Sequence, residues 1–84
     1  IVADYNEYYY DYDEEDLVIV DAVYMEELSV ITLPRGLQKA ITNMHTGQAI
    51  RAFIAPELSG MEDGDDTIPP YSVIVYDIAL HSIL

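Results

Sequence analysis

The last fourteen residues, YSVIVYDIALHSIL from Tyr71 to Leu84, most constrain the fold of this 84-residue chain. Side chains alternate between the two faces of a β-strand, so Ile74, Tyr76, Ile78 and Leu80 share one face while Val73, Val75, Asp77 and Ala79 share the other. A segment this apolar on both faces needs neighbouring strands and a covering layer. It is the longest strand the sequence predicts. Leu17 to Tyr24, LVIVDAVY, is rich in β-branched residues and predicts a second strand. A short strand is expected over Leu28 to Leu33, ended by Pro34, and another over Gln48 to Ala55, where Ile50, Ala52 and Ile54 alternate with Arg51 and Phe53.

One helix interrupts the strands. Leu37, Ala40, Ile41 and Met44 recur at a spacing that puts them on one helical face, and Gly47 can take the positive φ of an exit turn. From Glu57 to Pro70, ELSGMEDGDDTIPP, the composition is that of a surface loop. Antiparallel strands with a single helix imply an α+β fold in which the sheet wraps around that helix.

Charge divides the chain. Residues 1 to 27 hold ten acids and no Lys or Arg, and the whole chain carries 16 acids against 3 bases, a formal net charge of -13. Such a balance repels phosphate backbones and anionic lipid headgroups, which argues against nucleic-acid partners. Residues 3 to 16, ADYNEYYYDYDEED, lack aliphatic anchors, so 1–16 is expected to be an acidic, tyrosine-rich extension or edge segment and 17–84 the folded domain. A sharper reading makes the extension a docking tail for a basic partner or a tyrosine-modification segment; solvated charge is the blander and favoured one.

No apolar run approaches the roughly 18 residues that span a bilayer, so no membrane insertion is expected. The chain starts at Ile1 and not Met, which favours an exported protein whose signal has been removed over a cytoplasmic one. With no cysteine there is no disulfide framework and no zinc-thiolate site. A monomer with no cofactor is expected. Glu62, Asp63, Asp65 and Asp66 offer oxygen atoms to calcium but lack a recognised loop spacing, and a solvated loop is the preferred account. His45 and His81 are isolated and read as a surface turn and a strand end.

Beyond these patterns, Gly36 to Leu84 resembles the second half of FKBP-type peptidyl-prolyl cis/trans isomerases. Gly36, Met44 and Gly47 match the family's helix and Met-x-x-Gly turn; Ile54, Ala55, Pro56, Glu57 and Leu58 match the strand that runs into Pro-Glu-Leu. Gly60, Ile68, Pro69 and Pro70 match a Gly-containing loop leading to Ile-Pro-Pro, and Ile74, Val75, Tyr76, Asp77, Ile78 and Leu80 match the closing strand. The resemblance implies activity on Xaa-Pro bonds of proline-containing polypeptides, with Leu33, Leu37, Ile68 and Tyr76 as an apolar proline pocket. The bland alternative for all four is core filling.

The first half departs from the family. The strand tyrosine reads as Ala22, the Phe-Asp segment is missing, Leu37 stands where Trp is common, and a loop tyrosine is deleted between Ser59 and Gly60. The backbone N–H that binds a carbonyl falls on Pro34, which has none, or on Leu33 if Arg35 is an insertion. The resemblance thus implies weak or lost isomerase activity, with a non-catalytic polypeptide-binding or structural domain as the alternative.

Overall fold

The computed structural model describes residues 1–59 and 63–83; Gly60 and Glu62, invoked above for the loop motif and the calcium reading, and Leu84 lie outside them. Four antiparallel strands form one sheet: β1 (Val2–Asp11), β2 (Asp16–Glu27), β3 (Ala49–Ile54) and β4 (Ile74–Ser82), in the spatial order β2-β1-β4-β3. Helix α1 (Arg35–Thr42) covers one face, and a four-residue helix, α2 (Pro56–Ser59), follows β3. This is the α+β, FKBP-like architecture expected from the sequence.

β4 lies inside the sheet, and Ile74, Tyr76, Ile78 and Leu80 are each at most 4% exposed. They pack with Leu37, Ile41 and Met44 of α1 and its exit, with Ile54 of β3 and with Ile68. Burying a Leu or Ile side chain contributes roughly 1.5–3 kcal/mol each, which explains why an eight-residue helix, marginal alone, holds its shape here. Pro34, at φ -56°, precedes the first turn, and Gly47 turns the chain at φ 87° with its N–H donated to the Leu80 carbonyl at 2.7 Å.

Three expectations need correction. The segment Val2–Asp11 is not an extension or an edge: it is a central strand, hydrogen-bonded to β2 on one side and β4 on the other. Ala3 is fully buried, and Tyr5 and Tyr9 pack against the core, so tyrosine rings supply the apolar face that aliphatic residues were expected to supply. The acids that follow are indeed exposed from Tyr12 to Asp16, where Asp11 Oδ1 accepts the N–H groups of Asp13 and Glu14 and closes the β1–β2 turn.

Leu28 to Leu33 is not a strand. Val30–Thr32 forms a 3-10 turn, because Ser29 accepts from the Thr32 N–H and hydroxyl, and the Leu28 N–H is taken by Ile1. The longest strand is β2, with 12 residues against the nine of β4. β2 gains its length from β1, an expected tail that became its partner.

Candidate functional site

Leu37, Ile68 and Tyr76 come from three separate elements and meet in one apolar cluster, with Leu33 half-buried against it. Leu37 is 0% exposed, Ile68 1% and Tyr76 4%. Ile68 is brought inward by its loop: Asp65 Oδ1 accepts the N–H groups of Thr67 and Ile68, both at 2.7 Å, and the Asp65 N–H is donated to the Ile68 carbonyl at 2.8 Å. Gly64, at φ 71°, allows this tight return. Ser72 adds a bond from its hydroxyl to the Pro69 carbonyl.

The ring of Tyr76 meets the edge of Tyr5 at 5.5 Å between centroids and 72° between planes. Tyr5 stands on β1, and its O–H is 3.4 Å from Asp21 Oδ2. The tyrosine beside Tyr76 is therefore Tyr5. Ala22, the position on which the family's strand tyrosine falls by resemblance, pairs with Asn6 and lines a groove on the other face of the sheet.

Between these groups sits Glu7, in register with Asp21 on β2 and with Tyr76 on β4. Burial pushes its carboxyl above the ordinary carboxylate value, the charges of Asp21 and Asp65 push the same way, and a hydrogen bond from Tyr76 opposes them. Burial likewise raises the phenols of Tyr76 and Tyr5, helped by Glu7 and Asp21 respectively. The sequence signal for Tyr5 and Glu7 was the period-two run Ala3, Tyr5, Glu7, Tyr9, legible only when tyrosine is counted as apolar, and Asp21 had none, since it joins them only through the β1–β2 register.

At the start of α1, Pro34 has no N–H, and the Leu33 N–H is donated to Val30 O at 3.1 Å. Leu33 also borders a groove of about 310 Å³ with Ile31, Pro34, Gln38 and Leu58. The histidines stand apart from all of this. His45 is exposed in the turn after α1, and His81 Nε2 lies 2.9 Å from Asp4 Oδ2 at the end of β4. That contact, with the Met25 N–H, holds the Asp4 carboxyl below its usual value.

Among the described residues no group of three or more acids and histidines is arranged to hold a metal ion, and Asp65 spends one carboxylate oxygen on its own loop. No helix is long and apolar enough to cross a membrane, among the described residues. Residues 22–81 match the family model described as FKBP-type peptidyl-prolyl cis-trans isomerase. No curated protein matches the chain.

Proposed function

Because the chain belongs to the FKBP-type peptidyl-prolyl cis-trans isomerase family, we propose that it is a domain for proline-containing polypeptides whose isomerase activity on Xaa-Pro bonds is weak or lost. Isomerisation crosses a barrier of roughly 18–20 kcal/mol set by amide resonance, and no nucleophile is needed to lower it. An apolar site that surrounds the proline ring and dries the carbonyl favours the twisted, less polar amide over the planar one. Apolar walls must therefore be open to the ring.

One observation carries the reading: Leu37, Ile68 and Tyr76 are between 0% and 4% exposed, packed on one another and on the sheet. Their side chains act as core, and a proline ring reaches them only if the core opens. Carbonyl recognition is weakened as well, because Pro34 lacks a donor and the Leu33 N–H is bonded to Val30. Leu33 keeps a surface, in the groove beside Leu58, and a peptide binds there without an open pocket.

NMR exchange spectroscopy on a short Xaa-Pro peptide tests this. The expected result is no acceleration, or one far below the roughly 10⁴ M⁻¹s⁻¹ at the low end of enzyme kcat/KM values. A value at or above that level overturns the reading. Peptide-induced shifts at Leu33 and Leu58 support the binding role.

A further inference from the structure

The face of the sheet turned away from α1 has a relief set by strand register. Ile19, Tyr8, Val75 and Phe53 stand side by side across β2, β1, β4 and β3. Beside this ridge the side chains shrink. Ala22 pairs with Asn6, and Ala79 pairs with Ala49, so three alanines on three strands form the floor of a groove of about 570 Å³. That volume lies within the range of known binding pockets. Tyr24 stands at the rim, 82% exposed.

The charges of the groove are unequal in availability. Arg51 is held by both oxygens of Asp77, at 2.6 and 2.8 Å, and its guanidinium lies 5.9 Å from the Tyr8 ring centre. This base is neutralised in place. Asp4 keeps its negative charge in the lining, although its Oδ1 accepts the Met25 N–H at 2.6 Å and its Oδ2 lies 2.9 Å from His81 Nε2, and half of the lining comes from β1 and β2, within the stretch that has ten acids and no base. Asn6 is exposed at the centre of the floor, and its side-chain amide makes no hydrogen bond among the described residues.

We propose that this alanine-floored groove is a docking surface for a basic, extended polypeptide segment. Lys or Arg stems lie on Ala22, Ala49 and Ala79, their heads reach Asp4 and the face of Tyr24, and Asn6 bonds the segment's backbone. Charge selects this occupant over a second copy of the chain, since two bodies of net charge -13 repel. The surface is separate from the Leu33 groove, which is lined by other residues.

The test is an amide NMR titration of the whole chain with a soluble decapeptide of alternating Lys and Ala, with a Glu-Ala decapeptide as control, at about 50 and about 300 mM salt. Shifts should map to Asn6, Ala22, Ala49 and Ala79 and weaken with salt. Tyr24→Ala, at an exposed position, should bind about threefold more weakly, and Ala79→Leu, which fills the floor, about tenfold. Where Ala79→Leu does not fold, Ala49→Leu on the edge strand replaces it. Shifts confined to Tyr12–Asp16, equal binding of the Glu-Ala peptide, unaltered binding by the variants, or groove shifts that grow with protein concentration without peptide would each overturn the proposal.

Discussion

Tyr76 and Glu7 are register partners across the β1–β4 pair, on the face of the sheet that meets the core, close enough that each shifts the ionisation of the other. An acid thus lies beside one of the most buried aromatic rings of the molecule. Its other charged neighbours are Asp21 on β2 and Asp65 in the loop, both of like sign.

This arrangement predicts a pH dependence. Burial above all raises the Glu7 carboxyl in the folded state, so its contribution to stability is fully present below the unfolded value near 4.5 and lost as pH rises through the raised folded value. Asp4 and Asp77 are lowered, and their contributions fade only in stronger acid, below about 3.8. Thermal melts from about pH 7.5 to about pH 5 should show the native chain gaining stability relative to Glu7→Gln as pH falls. A constant difference between the two would sink the assignment.

Removing the Tyr76 hydroxyl isolates the other partner. Tyr76→Phe keeps the ring contact with Tyr5 but removes the hydroxyl that holds the Glu7 carboxyl down, a change expected to cost about 1 kcal/mol at neutral pH. Urea unfolding measures it. The cost should shrink once Glu7 is replaced by Gln, because the charged acceptor is gone.

Leu37 offers a test of the closed core. Leu37→Trp places the residue common in the family at a fully buried position, and overpacking should cost about 1–3 kcal/mol without restoring isomerase activity. A rise in activity with unchanged stability would show space around Leu37 that a 0% exposed side chain should not have.

Two glycines should respond by different routes. A Cβ on Gly36 would come within 2.6 Å of Ile54 Cγ2, a branch fixed to a buried strand residue, so Gly36→Ala should lose about 1–2 kcal/mol despite the better helix propensity of alanine. At Gly64 the backbone itself blocks the change, with Ile68 O at 2.5 Å and Pro70 N at 2.7 Å, and φ at 71° adds strain. Gly64→Ala should therefore be the costlier variant by denaturant midpoint. The reverse order would count against the loop geometry that holds Ile68.

Much of the second half was legible in the residues. The alternation of Ile74 to Leu80, the α1 spacing of Leu37, Ile41 and Met44, and the turn at Gly47 are local patterns, and each strand or helix period states which side chains share a face. The first half was not legible, because tyrosines between acids read as solvated until a partner strand covers them. Glu7 and Asp21 are distant in the chain and meet only through the β1–β2 register.

The sequence by itself determined the types of α1, β3 and β4, though not of α2, whose residues read as a loop, together with the acidic balance and the candidate residues Leu33, Leu37, Ile68 and Tyr76. Only the tertiary structure decided that β1 is central, that Tyr5 and Glu7 flank Tyr76, and that three of those four residues are closed into the core. The reason is physical: periodicity is written in neighbours along the chain, whereas burial and strand order depend on which distant segments pay the entropy of pairing together.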